Sequence, residues 1–266
     1  MFFNKLSVKN KIVAVVVAAF VLILSVVLIV VFSSGDKVDV NNNPVKSDVS
    51  SPADSGNRLL SGDSCFLVVC NDDKAGDIVF MFLADFRVYS SELILTPLSS
   101  DTVSADGRSY GEVYNYGGIN LLRDSIAEVR NVEIDRYAIL DRSGVSALTD
   151  LMGEVSLDVN EQFTYQSSDK SYEVEAGKTD MGSDMLFTYL KLCSQKYGAD
   201  KFVMLIRDMI NTYLEDIDVD DIEDTFAGLT NCFDTDVTIS DYFSAVNDIT
   251  YLVEHDMKCV LVNDVD

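Results

Sequence analysis

The sequence predicts an α/β layered domain that a single N-terminal span holds outside a membrane. An unbroken apolar run from Ile12 to Phe32 predicts the span. Short apolar runs between residues 65 and 96 are typical of buried strands, and from Tyr110 to Val159 helical spacing alternates with period-two spacing. Helices and strands that alternate with short connections favour a layered α/β architecture.

The apolar run Ile12–Phe32 has Ser25 as its only polar residue, and a helix of this length reaches about 31 Å, enough to cross a bilayer core. A cleaved signal peptide is the alternative, but its apolar region is about 7–15 residues long and ends at a small-residue cleavage site, which is not evident after Phe32. Lys5, Lys9 and Lys11 lie at the N-terminal end of the run, which predicts that residues 1–11 are cytoplasmic and the remainder extracytoplasmic.

A polar stretch separates the span from the domain. Residues 33–60 are rich in Ser, Asp, Asn and Gly, include Pro44 and Pro52, and show no sustained periodicity. Such a composition predicts an extended extracytoplasmic linker, followed by one α/β domain over residues 61–266.

The charge balance excludes one class of partner. The formal net charge is −24, and after residue 32 there are 17 basic and 44 acidic residues, a charge of −27. A surface of this sign repels phosphate backbones, so we expect no nucleic-acid binding.

The cysteines and the single histidine give no sign of a metal centre or a nucleophile. The five cysteines show no C-x-x-C or Cys/His pairing, so zinc is not indicated. Buried free thiols are favoured over a disulfide framework, partly because Cys65 and Cys70 would face opposite sides of one strand. His255 lies in a charged segment and is expected at the surface.

The domain is expected to open with three strands. Two continuous apolar runs, Cys65–Cys70 and Asp77–Ala84, have the pattern of strands buried on both faces. A turn at Val88–Ser91 leads to a third strand, Glu92–Thr96.

The central block is predicted to alternate helix and strand. Its expected parts are a turn-rich entry Tyr110–Gly118, a helix Ile119–Val129, a strand Val132–Leu140, a helix capped by Ser143 and ended by Gly153, and a strand Glu154–Val159.

Fewer elements are expected in the last hundred residues. The predictions are a polar excursion Phe163–Tyr172, a helix Phe202–Leu214 and a final strand Met257–Val262. The acidic stretch Glu215–Asp224 has the opening spacing of a calcium loop, but it lacks the glycine after Asp220 and has Ala227 at the terminal ligand position. A solvated acidic loop is therefore favoured over an EF-hand.

The central block resembles the LytR-CpsA-Psr family in the order and spacing of its motifs. The matching segments are Tyr116-Gly117-Gly118, Ile134–Tyr137, Asp141, Leu148–Gly153 and Val155–Val159. The resemblance implies a mixed central sheet with helices on both faces and an apolar pocket for a polyprenyl chain. It also implies a bacterial cell envelope protein that moves a glycopolymer from a polyprenyl-pyrophosphate carrier to peptidoglycan.

The resemblance also suggests site residues. Asp77 and Asp101 fall on its acidic positions and would be the catalytic carboxylates and the ligands of Mg²⁺. The substrate-binding candidates that it places are Lys74, Lys191, Lys201 and Tyr116. The alternative is that the aspartates are solvated strand-end or turn residues and the lysines are solvated surface charges.

The departures from the family pattern decide between two functional hypotheses. The family's arginines next to Asp77 and Pro97 are missing, and lysine and cysteine stand where two more are expected, at Lys191 and Cys193. Lysine keeps the charge but not the bidentate grip that guanidinium groups give to phosphates. We therefore favour a degenerate relative that binds a polyprenyl-phosphate lipid or a partner protein, with an active phosphotransferase as the alternative.

Overall fold

The computed structural model describes residues 62–72, 76–152, 155–167, 170–214, 228 and 230–262. The predicted span Ile12–Phe32, the linker, Lys74 and the acidic stretch Glu215–Asp224 lie outside these ranges. In the part of the chain that is described, no helix combines the length and the apolar character needed to cross a membrane.

The domain opens with three antiparallel strands: β1 (Ser64–Asp72), β2 (Asp77–Arg87) and β3 (Glu92–Leu98). Nearly every residue in the middle of β1 and β2 is buried, as expected for continuous apolar runs covered on both faces. All three strands were predicted, and each extends one to three residues beyond its apolar run.

The first helix, α1 (Tyr110–Arg130), leads to β4 (Arg136–Leu140), which pairs in parallel with β1. The expected turn at Tyr110–Gly118 is wrong, because a capping box starts the helix there: Glu112 N donates to Ser109 Oγ at 3.2 Å, and Ser109 N donates to Glu112 Oε2 at 2.8 Å. Gly118 interrupts the helix with φ of 70°, a conformation that favours glycine.

Two small antiparallel sheets follow the second helix. The elements are α2 (Arg142–Met152), β5 (Val155–Val159), β6 (Phe163–Ser167), β7 (Lys170–Val174) and β8 (Gly177–Met181). Strand β5 pairs with β8, and β6 pairs with β7. The polar excursion expected around Phe163–Tyr172 is therefore a β-hairpin.

The remaining elements complete the main sheet. They are α3 (Ser183–Leu214), which is interrupted at Gly198, β9 (Asp234–Thr235), α4 (Ile239–Glu254) and β10 (Lys258–Leu261). The strand order is β10-β3-β2-β1-β4-β9, with β10 parallel to β3 and β9 antiparallel to β4.

Helices cover both faces of this mixed sheet, as the resemblance implied. Leu67 and Val69 of β1 pack in a cluster with α1, whereas Phe66 and Val68 face the larger cluster formed with α2, α3 and α4. The alternation follows from the period of two in a strand. All five cysteines are free thiols, and four of them are buried.

Candidate functional site

The candidate site lies at the edge of the sheet where β1, β3 and β4 end and β2 begins. This geometry follows from the strand directions, because β4 runs parallel to β1 while β2 runs antiparallel to both β1 and β3. In open α/β sheets, ligands bind outside the carboxyl ends of the strands.

A buried ion pair occupies the β1–β2 end of this edge. Lys191 of α3 donates through Nζ to Asp72 Oδ2 at 2.7 Å, and the Asp72 side chain is 7% exposed. Asp72 is the last residue of β1 and the cross-strand partner of Asp77. The predicted substrate-binding lysine is therefore next to predicted catalytic Asp77, but its charge is already matched by a carboxylate that the sequence analysis did not single out.

The two predicted catalytic aspartates lie at the same edge and are both exposed. Asp77 begins β2, and Asp101 lies in the turn after β3, where its backbone N–H donates to Ser99 Oγ at 3.2 Å. Carboxylate oxygens suit Mg²⁺. Among the described residues, no three carboxylate, thiol or imidazole side chains form a metal-binding group. If Asp77 and Asp101 held Mg²⁺, water or ligand oxygens would therefore supply most of its octahedral coordination.

The other substrate-binding candidates are not brought to the ion pair by any described contact. Tyr116 is 79% exposed, and its ring packs under the guanidinium group of Arg108 at 4.6 Å. Lys201 is exposed on α3, beside Phe202, whose ring packs against Phe80.

An arginine that follows the carboxyl end of β4 is held by an acidic side chain. Arg142 begins α2, but its Nη1 lies 3.3 Å from Asp184 Oδ1 and its guanidinium group stacks on the Phe187 ring at 4.3 Å. Five arginines of the described ranges form ion pairs with aspartates: Arg87, Arg108, Arg123, Arg142 and Arg207. None of these five is a free bidentate phosphate ligand.

A polar cleft of about 490 Å³ lies beside the ion pair, at the carboxyl ends of β1 and β4. Its polar wall contains Asn71, Tyr114, Asp141 and Asp234, none of which was predicted as a site residue. Asn71 and Asp141 end or follow buried apolar runs, and this position at strand ends is the signal by which they could have been found.

The start of α2 shapes one wall of the cleft. Asp141, rather than the predicted Ser143, caps the helix: its Oδ1 accepts from Gly144 N and from Ser143 Oγ, both at 2.7 Å. A Cβ on Gly144 would lie 2.3 Å from the carbonyl oxygen of Cys232, so only glycine allows this close approach.

The described residues also line a small groove of about 120 Å³ around Phe163 and Tyr189. The polar cleft lacks an apolar lining, and the groove, although lined mainly by apolar and aromatic side chains, is too small for a polyprenyl chain. The apolar lipid pocket implied by the resemblance remains a prediction.

The chain belongs to the LytR_cpsA_psr family, whose sequence model matches residues 98–263. Asp101, Tyr116, Lys191 and Lys201 lie inside the matched range, whereas Asp77 precedes it. A search of curated proteins gave no match.

Solved structures of low sequence identity share the fold. A protein of Eubacterium siraeum described as a transcription regulator has a TM-score of 0.60 and 15% identity, over 85% of this chain and 89% of that chain. TagV of B. subtilis has a TM-score of 0.59 and 13% identity, over 76% of this chain and 85% of that chain. The LytR-CPS2A-psr family protein YwtF (TagT), solved with bound octaprenyl pyrophosphate lipid, has a TM-score of 0.51 and 12% identity, over 76% of each chain.

Proposed function

We propose that this chain is a membrane-anchored, extracytoplasmic protein of the bacterial cell envelope that binds a polyprenyl-phosphate lipid or a partner protein, with glycopolymer transfer weak or absent. Membership of the LytR_cpsA_psr family supports the envelope role. The apolar run Ile12–Phe32 supports the anchor, and the lipid bound to TagT supports the ligand class.

The ion pair between Lys191 and Asp72 carries the proposal that transfer is weak. A transferase of this kind must neutralise the charge of a pyrophosphate while its phosphoanhydride bond breaks, polyprenyl phosphate leaves and a phosphoester bond to the acceptor hydroxyl forms. Lys191 can do so only by giving up an ion pair with a carboxylate that is 7% exposed, and breaking such a shielded ion pair is unfavourable.

The surroundings of the ion pair add negative charge. Asp77 and Asp101 are exposed at the same edge, Asp141 begins the neighbouring helix, and the nearby Arg142 is held by Asp184. A pyrophosphate approaching this edge meets these carboxylates, and the guanidinium group of Arg142 is already paired with Asp184.

The alternative is an active phosphotransferase that uses a divalent metal at Asp77 and Asp101. The exposure of both carboxylates at one edge favours it. When bound, Mg²⁺ supplies positive charge that bridges phosphate oxygens, and these two residues would hold it.

Transfer by the full chain in detergent micelles separates the two functions. With a polyprenyl-pyrophosphate glycan and Mg²⁺, we expect transfer far below that of an arginine-bearing family member. We expect any residual lipid binding to depend on Mg²⁺ and to weaken in Asp77→Ala, but not in Asp180→Ala, an exposed aspartate of β8 used as the control. Transfer at a comparable rate would establish the alternative.

The topology has its own test. A reporter enzyme that works only outside the cytoplasm, fused after Asp266, should be active, because Lys5, Lys9 and Lys11 favour a cytoplasmic N-terminus for the run Ile12–Phe32. Activity of a cytoplasm-dependent reporter at the same position would contradict the anchor and its orientation.

A further inference from the structure

The polar cleft is separate from the ion-pair site, although both begin at the end of β1. Asn71 donates through Nδ2 to the Tyr114 hydroxyl of α1 at 3.0 Å, whereas the adjacent Asp72 binds Lys191 of α3. Side chains of successive strand residues point to opposite faces, so Asn71 and Asp72 contribute to different groups of contacts at this edge. The cleft volume of about 490 Å³ is within the usual range for small-molecule sites.

The polar groups that line the cleft are mainly hydrogen-bond acceptors. Carboxylates are contributed by Asp141 and Asp234, hydroxyls by Tyr114 and Ser143, and none of the described residues that line the cleft is basic. Asp234 is exposed, and Asp141 uses Oδ1 for the helix cap, which leaves Oδ2 without a hydrogen bond in the described residues.

Asn71 adds an acceptor that lacks a partner. Its Oδ1 is buried, and no described group donates to it, while its Nδ2 is used by Tyr114. A buried carbonyl oxygen without a donor costs free energy, and a donor that enters the cleft would offset that cost.

The electrostatic environment of Tyr114 agrees with a negative cleft. Burial raises the pKa of its hydroxyl, and the charges of Asp234 and Asp141 raise the pKa further, against the opposing hydrogen bond from Asn71. An anion is therefore disfavoured here, and a cation is favoured.

We infer that this cleft binds a primary ammonium group, carried by a free diamine or by a lysine side chain. Three N–H donors of an ammonium can bond to the carboxylates of Asp141 and Asp234 and to the amide oxygen of Asn71. Ile139 and the half-buried Phe233 provide apolar wall for the methylene stem behind the charge. A bare metal ion suits the cleft less well, since no group of three metal-binding side chains occurs in the described ranges.

The inference does not rest on lipid binding, and it is tested by isothermal titration of the full chain in uncharged detergent micelles. The probes are Nα-acetyl-lysine amide, 1,5-diaminopentane and, as the neutral isostere, Nα-acetyl-norleucine amide. We expect one-to-one binding of at least one amine and none of the norleucine derivative, and the preferred amine identifies the source of the ammonium group.

A matched pair of variants separates the cleft from general attraction to an acidic surface. Asp234→Asn should weaken amine binding about tenfold, because a charge-assisted contact is lost. Asp180→Asn makes the same change at an exposed aspartate outside the cleft and should leave binding unchanged. Three results would each overturn the inference. These are an equal loss of amine affinity in both variants, binding of the norleucine derivative as tight as that of the amines, and no binding of either amine at millimolar concentration.

Discussion

The ion pair between Asp72 and Lys191 ties the end of strand β1 to the middle of helix α3, with Nζ and Oδ2 2.7 Å apart. The Asp72 side chain is 7% exposed and that of Lys191 is 28% exposed, so the pair is partly shielded from water. The same contact therefore ties α3 to the sheet and matches the charge of Lys191 with a carboxylate.

Lys191→Met should destabilise the domain by about 2 kcal/mol, because the charge-assisted hydrogen bond from Nζ to the buried Asp72 carboxylate is lost. The free energy of unfolding is measured by urea denaturation of the full chain in micelles. Lys196→Met is the control, since Lys196 pairs with Glu161 and both side chains are more than half exposed, and little change is expected. Recovery of stability in the double variant Asp72→Asn/Lys191→Met would support the mechanism, whereas equal effects of the two lysine variants would contradict it.

Gly144→Ala should destabilise the domain by about 1–3 kcal/mol, because its Cβ would lie 2.3 Å from the backbone oxygen of Cys232 and force α2 away from that segment. Gly111→Ala is the matched control within α1, where the nearest atom to the added Cβ is 3.5 Å away. Alanine there should be neutral or stabilising. Thermal melting of both variants provides the comparison, and a neutral Gly144→Ala would show that the close approach is not rigid.

The thiols should react slowly with an aromatic disulfide reagent at pH 8 in the native chain. Burial, with the charges of Asp85 and Asp135, raises the pKa of Cys65 to about 12, and burial also raises the pKa of Cys70 and Cys259. The thiolate is the nucleophile, so a raised pKa leaves little of the reactive form. All five thiols should react after denaturation without reductant, and fewer than five would reveal a disulfide.

Asp135→Asn should stabilise the domain at neutral pH but not in acid. Burial raises the pKa of Asp135 in the folded chain, although its carboxylate accepts from Cys65 N at 2.8 Å. When the pKa of a carboxyl is raised in the folded state, the domain loses stability as the pH rises from the ordinary pKa of 3.8 through the folded pKa. The amide oxygen of Asn can still accept from Cys65 N. The variant should therefore become more stable than the wild type as the pH rises between these two pKa values, and it should remain more stable at higher pH.

Asp106→Asn should have the opposite pH dependence. Hydrogen bonds from Arg108 and Ser104 lower the pKa of Asp106. The ionised carboxylate therefore stabilises the domain at pH values above its ordinary pKa, and this stabilisation is lost as the pH falls through the folded pKa. The variant should be less stable than the wild type at neutral pH, with the difference fading on acidification. Parallel pH profiles for the Asp135 and Asp106 variants would contradict both assignments.

Continuous apolar runs made the main-sheet strands predictable from sequence. The cores of β1 and β2 stand out because both faces of each strand are buried. The β6–β7 hairpin could not be recognised in this way, since four of the five residues of β7 are exposed and each strand alternates over only two apolar residues, Phe163 and Tyr165 in β6 and Tyr172 and Val174 in β7. The first half of α1 was missed because its glycines suggested a turn, although Ser109 and Glu112 carry the capping-box pattern.

The candidate site was predictable only where a local pattern located it. The positions of Asp77 and Asp101 follow from short motifs next to strands. The partner of Lys191 could not be predicted, because Asp72 lies 119 positions away and the contact depends on how α3 packs against the sheet. The same is true of the contact between Asn71 and Tyr114, which depends on the docking of α1.

Strand β10 is near the end of the chain, but it pairs with β3, which belongs to the opening meander. During synthesis, β3 therefore keeps an unpaired edge until the chain has been made as far as β10. An open strand edge is a template for pairing with other chains, and contacts between distant segments form slowly. A chain that stops before Lys258 would expose this edge permanently and should aggregate.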